Sequence, residues 1–136
     1  MKVSRSASRE MAFVLLFEFL MKGDESAQEI WDNAVEFPNL KQSPYASSVF
    51  FGCTENLEKV NAVIEPCLVG WKQERVSYVS RAVLMLATYE MMFGEDVPYK
   101  VAIDEALNLS KKYESGNAFS FINGVLNAVA ESLSLK

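Results

Sequence analysis

The sequence predicts an all-α fold, a compact bundle of about seven helices. Apolar residues recur at i, i+3 and i+4 through most of the chain, and no stretch alternates apolar and polar long enough for a strand. Capping hydroxyls, prolines and glycines punctuate these runs and leave only short connections. The chain has 136 residues, half of them hydrophobic, which suits one domain with a real core, residues 1–136.

The first helix spans about Ser6 to Met21. Ala12, Leu15, Leu16 and Phe19 fall at helical spacing, Phe13 and Phe17 widen the apolar face, and Gly23 ends it. The second starts at Ser26, with Glu29 completing a capping box, carries Ile30, Trp31 and Ala34, and is closed by Pro38. Ser43-Pro44 opens the third: a capping hydroxyl with proline in the first position. Tyr45, Val49, Phe50 and Cys53 follow on one side. From Thr54 to Glu65 the helix continues or restarts, with Leu57, Val60 and Ile64 inward, until Pro66 limits it. Gly70-Trp71-Lys72-Gln73 is a short connector.

Ser77 caps the fifth helix, which runs to Phe93 with Gly94 beyond it. Val79, Val83, Leu84, Leu86, Ala87, Met91 and Met92 make it apolar nearly all round, which predicts a central position. Pro98 opens the sixth, to about Tyr113, with Val101, Ala106 and Leu109 inward and Ile103 beside them. The seventh runs from about Asn117 to Leu133. It carries Asn123-Gly124 inside an apolar stripe, although glycine in a helix costs about 1 kcal/mol relative to alanine. Close approach of another helix at Gly124 and a buried hydrogen bond from Asn123 are the expected reasons.

Several chemistries are excluded or disfavoured. There is no histidine, so Ser-His and Cys-His catalysis and the commonest zinc ligand are absent. No P-loop or GxGxxG occurs. No metal or cofactor is expected. Cys53 and Cys67 read as buried thiols of a reducing compartment. No apolar run reaches the roughly 18 residues a membrane helix needs. The run from Met11 to Phe17 is interrupted by Glu18 without a small-residue cleavage site, so it reads as an amphipathic helix of a cytoplasmic protein. The net charge of −5 argues against a strong stand-alone nucleic-acid binder, yet Lys2, Arg5 and Arg9 gather at the N-terminus.

Four blocks resemble the NusB family of bacterial transcription antitermination factors. Ser8-Arg9-Glu10-Met11-Ala12 with Leu15-Leu16-Phe17 is similar to its opening ARExA…LY pattern. Trp71 followed by Arg81-Ala82-Val83-Leu84-Met85-Leu86-Ala87-Thr88-Tyr89-Glu90-Met91 is similar to its W…RAxLRLAxYEL helix. Val97-Pro98-Tyr99-Lys100-Val101-Ala102-Ile103-Asp104-Glu105-Ala106-Leu107 and Phe121-Ile122-Asn123-Gly124-Val125-Leu126-Asn127 resemble IPxKVAINEAVELAKKY and FVNGVLD. Order and spacing agree over nearly the whole chain.

The resemblance implies two helical subdomains and a non-enzymatic role. It implies binding of boxA-type single-stranded RNA together with ribosomal protein NusE. That pair serves the transcription elongation complex and promotes processive transcription of ribosomal RNA operons. Arg5 and Arg9 lie four apart on one helix face, and guanidinium groups suit phosphate. The family's N-terminal segment contacts RNA and is usually richer in arginine; Ser6, Ala7 and Ser8 stand here where further basic residues often occur.

Phe17 holds the aromatic position of the opening motif and could stack a base, with core packing as its commoner fate. Phe119 and Phe121 diverge on the last helix, so one can be core and the other exposed. The resemblance favours Phe121 for RNA, with Asn117 at the loop-to-helix junction and Lys100 adding to a basic edge. Ser80, Arg81 and Tyr89 on the fifth helix are candidates for a protein interface. One rival reading is a protein-binding or homodimerising module, in which a homodimer covers Arg9 and Phe17 and the methionines Met85, Met91 and Met92 provide an adaptable surface. Another is an RNA-recognition domain appended to a methyltransferase, but the chain stops at Lys136 without a cofactor-binding domain, which favours a stand-alone factor.

Overall fold

The structure is a computed structural model that describes residues 3–34, 37–70, 76–94, 96–114, 116 and 118–136. Among them are seven α-helices, two single 3-10 turns and no strand. The helices are α1 (Arg5–Lys22), α2 (Ala27–Asp32), α3 (Pro44–Glu55), α4 (Leu57–Ile64), α5 (Tyr78–Phe93), α6 (Tyr99–Tyr113) and α7 (Ala118–Ser132). The connector at Trp71, Lys72 and Gln73 lies outside the described residues.

The local chemistry explains most boundaries. Ser4 Oγ accepts from the Ala7 N–H at 3.1 Å and starts α1. Gly23, at a φ of +69°, closes it with its N–H on the Phe19 carbonyl. At α2 the capping box is reciprocal: Glu29 N–H to Ser26 Oγ at 3.1 Å, Ser26 N–H to Glu29 Oε1 at 3.3 Å. This helix stops at Asp32, short of the expected end at Pro38, with Asn33 as its cap. Ser43 Oγ accepts from the Ala46 N–H and starts α3, with Pro44 in the first position. Asn56 then breaks the chain between α3 and α4, and its Nδ2 donates to the Gly52 carbonyl at 2.8 Å. Pro66 falls in a 3-10 turn, Glu65–Cys67, that ends α4.

Central in the bundle is α5, buried continuously from Ala82 to Thr88 and again at Glu90 and Met91. It packs on α1, α3, α4, α6 and α7. Phe13, Leu15 and Leu16 from α1, Phe50 from α3, Val60 from α4, Leu84 from α5, and Ile122 and Leu126 from α7 are fully buried in one continuous core. Each such side chain contributes about 1.5–3 kcal/mol by leaving water. Cys53 sits in this core, donates to the Met85 carbonyl and has its thiol pushed up to about 12 by burial. Cys67 is also free but only half-buried.

Three sequence expectations change. Val101 faces outward, because Ala102, Ile103, Ala106 and Leu109 form the buried stripe of α6. Asn123 and Gly124 are exposed, opposite the stripe of Ile122, Val125, Leu126, Val129 and Ala130. Among the described residues nothing lies within 4 Å of where a Gly124 Cβ would stand, and Asn123 accepts from Asn127 Nδ2 through its carbonyl at 2.8 Å and its Oδ1 at 3.1 Å. Close approach occurs at Gly52 of α3, where a Cβ would run into the phenol of Tyr89 from α5.

Gly52→Ala is therefore expected to lower stability by about 1–3 kcal/mol, because the Tyr89 ring must swing off Phe93. Thermal denaturation should show a reduced Tm, and adding Tyr89→Ala should make the pair of changes less than additive.

Candidate nucleic-acid interface

The first helix meets α3, α5 and α6 through a buried ionic cluster. Arg9 Nε donates to Glu90 Oε2 at 2.8 Å, and Arg9 Nη1 lies 3.8 Å from Glu105 Oε1. The Tyr45 hydroxyl donates to the same Glu90 oxygen. Ser6 Oγ reaches Glu105 Oε1 at 2.9 Å, and the buried hydroxyls of Ser8 and Ser43 bond each other at 2.5 Å. Arg9 is 4% exposed and Glu90 2%. Burial pulls the Arg9 pKa down, but the bond to Glu90 and the charges of Glu90, Tyr45 and Glu105 outweigh it and leave it raised. Burial raises the Tyr45 phenol, and the Glu90 carboxylate raises it further.

This geometry separates the two arginines that the sequence places on one face. Arg9 is turned inward and its guanidinium is occupied, so it is a structural cation and not part of an exposed phosphate-contacting edge. The first turn of a helix beside a packed neighbour divides its face between interior and solvent, and spacing alone does not show where that division falls. Arg5, one turn earlier, is exposed, with its guanidinium carbon 4.2 Å above the centre of the Tyr45 ring. Such stacking is worth about 0.5–1 kcal/mol at an exposed site and holds the cation in one place. The sequence places Tyr45 on one side of α3 with Val49, Phe50 and Cys53. Its role as a platform for Arg5 has no local sequence signal, since the two residues belong to different helices.

Beyond this point side chains of α1 meet those of α6 in the same chain order. Ser6 and Arg9 reach Glu105; further along, Glu10 Oε2 accepts from Lys112 Nζ at 2.7 Å and from the Tyr113 hydroxyl. Phe13 then packs on Tyr113 with ring centres 4.9 Å apart. Lys100, exposed at the start of α6, therefore lies toward the end of the bundle that carries Arg5. Burial raises the Glu10 pKa, but the bonds from Lys112 and Tyr113 outweigh it and hold the carboxyl below its usual value. The Tyr113 phenol is pushed up to about 12, by burial and then by Glu10.

The remaining RNA candidates divide. Phe17 is half-buried and packs against the core, as does Phe121. Of the two diverging phenylalanines, Phe119 is the exposed one, at 37%, with Lys111 Nζ 4.7 Å from its ring centre. Ile122 and Val125 draw the Phe121 side of α7 inward, and this leaves Phe119 outside. Asn117 lies outside the described residues. Arg5, Lys100 and Lys111 are thus exposed cations, and Phe119 an exposed ring, along α1, α6 and the start of α7, where Lys112 and Tyr113 are also exposed but engaged by Glu10.

The candidate protein interface also divides. Ser80 is buried, and its hydroxyl donates to Glu114 at 2.6 Å beside Ser77, so it is not an exposed contact. Arg81 is half-buried, 5.2 Å from the Tyr78 ring, and lines a small apolar cavity with Ile64, Leu68 and Leu84. Tyr89 turns toward Gly52 and Phe93. These three side chains do not share one exposed face.

Two outcomes follow from the ionic contacts. Arg9→Ala leaves Glu90 buried without its cation and should cost about 3–5 kcal/mol in urea denaturation, while Arg9→Met with Glu90→Gln should recover most of the loss. Because the Glu10 carboxyl sits below its usual 4.5 in the fold, its contribution is present above that pH and is lost as pH falls through the lowered value. A stability gap of at most about 1 kcal/mol between the native chain and Glu10→Gln at pH 7 should therefore close on acidification.

The model of the NusB family matches residues 6–131. The transcription antitermination protein NusB of Clostridium perfringens is 38% identical over 135 residues, covering 96% of this chain and 99% of that protein. A solved structure of T. maritima NusB superposes with a TM-score of 0.85 at 35% identity, over 96% of this chain and 93% of its own. A chain from a complex of the antitermination factors NusB and NusE with double-stranded RNA superposes with a TM-score of 0.81 at 26% identity, covering 94% and 96%. The chain belongs to the NusB family.

Proposed function

We propose that this chain is an RNA-binding transcription antitermination factor that acts with ribosomal protein NusE on boxA RNA. Membership of the NusB family over nearly the whole length carries the reading, and the exposed Arg5 on its Tyr45 platform supports it at the level of the site. The factor is a single-domain, non-enzymatic adaptor. It works in the cytoplasm with the transcription elongation complex and promotes processive transcription of ribosomal RNA operons. One continuous core joining α1 to α7 supports the single domain.

The charge distribution sets how it binds. A net charge of −5 repels a polyanion at long range, and Arg9 is neutralised internally. Few phosphate contacts remain, so affinity for RNA alone is modest and a partner must extend the basic surface. NusE supplies that extension. Exposed Arg5, Lys100 and Lys111 form the phosphate-contacting positions on this side, with Phe119 as a stacking position beside Lys111. Phe17 and Phe121, half-buried against the core, back the same region. Arg81 and Tyr89 serve the protein partner from their half-exposed edges. Self-association over the Arg9 and Phe17 side of α1 is the rival reading, and light scattering would reveal it as a doubled mass.

Binding of boxA RNA should tighten when NusE is added and weaken as salt rises. Arg5→Ala should lower affinity and reduce the slope of log affinity against log salt by about 0.7, the value for one phosphate contact on a single strand. Gel shifts over a salt series measure both. No preference for boxA with or without NusE would reject the proposal.

A further inference from the structure

A cavity of about 300 Å3 opens between the start of α1, the first turns of α3 and the end of α5. One wall is the Arg5 guanidinium lying on Tyr45. Another is the ring of Phe93, 43% exposed and paired with Tyr89 at 5.2 Å between ring centres. Ser48 and Asp96 are the polar groups of the lining that stand in solvent. We propose that this cavity takes one unpaired nucleobase of single-stranded RNA, stacked against Phe93 and the Arg5 guanidinium.

The chemistry of the walls selects this occupant. Bases stack on aromatic rings and on guanidinium planes, and both kinds of surface line this cavity. Its volume is at the small end for a ligand site, enough for one base and too small for a run of them. Arg5 repels a cationic side chain from a partner, while its outer edge stays beside the incoming phosphate. The Asp96 carboxylate only accepts hydrogen bonds, so it favours a base that presents an amino or ring N–H. The inference rests on the RNA-binding reading and adds to it a base site on the α3 and α5 side of Arg5.

The test uses the full chain with NusE and a fluorescein-labelled single-stranded boxA RNA, in which each base in turn is replaced by an abasic site. At one position the abasic RNA should bind the native chain about tenfold more weakly, the size expected for one stacked base. That penalty should fall below about twofold with Phe93→Ala. Phe93→Tyr keeps the stacking surface and should keep the native pattern, which separates base stacking from a general loss of fold. Phe93→Ala should leave the salt slope unchanged, because no phosphate contact is removed, whereas Arg5→Ala lowers it. The base site is overturned if the native chain binds boxA RNA but Phe93→Ala shows the same abasic profile. If the native chain binds no RNA under any condition, the functional reading fails first and the base site fails with it.

Discussion

The buried Arg9–Glu90 pair is the constraint on which the arrangement of this protein depends. It is the point where α1, α3, α5 and α6 meet, through Arg9, Tyr45, Glu90 and Glu105. A buried ion pair gives little net stability over an apolar core, but it tolerates no partial solution: removing one partner leaves a charge in a dry place. The cluster therefore acts mainly on geometry. It holds the register of α1 against the central helix, and the rest of the α1 contacts follow from that register.

Those contacts place the chemistry of the surface. With Arg9 drawn inward, Arg5 is left at the rim one turn before it, and Tyr45 serves both arginines. Its hydroxyl donates to Glu90 inside, and its ring carries Arg5 outside. The same tyrosine thus links a buried charge balance to an exposed cation. On the far side, Glu10 engages Lys112 and Tyr113 at the surface, and Lys111 lies over Phe119 near the start of α7. The protein keeps a few exposed cations on this edge against an acidic overall balance, while Arg9 is paired inside the fold. Partner-assisted RNA binding is consistent with so thin an edge.

Much of this architecture could be read from the chain. Ser26 with Glu29, Ser43 with Pro44, Ser77 before Tyr78, and Gly23 are local signals with local mechanisms, and each marks a helix end in the structure. The apolar surround of α5 correctly implied a central helix. The readings that changed concern direction. Gly124 was expected at a helix crossing and faces open solvent, while the close crossing is at Gly52. The resemblance favours Phe121 for the RNA edge with core as a close rival, and in the structure Phe121 packs partly buried against the core while Phe119 is the exposed ring. Composition and spacing say that a residue belongs to a helix, but the phase of that helix about its axis is set by what it packs against.

The helical class, the seven segments, several of their caps and the family are legible in the chain alone, because periodicity, capping and motif order are properties of neighbouring residues. The chain also determined which residues were available to make a site. Which of them do so depends on the packing of the helices. Arg9, Glu90 and Glu105 belong to three of the motifs by which the chain resembles its family, and nothing in their spacing shows that they meet. Folding brings them together, neutralises Arg9 and leaves Arg5 on Tyr45. The reason is that burial and charge pairing depend on contacts between distant segments, and those exist only once the helices have packed.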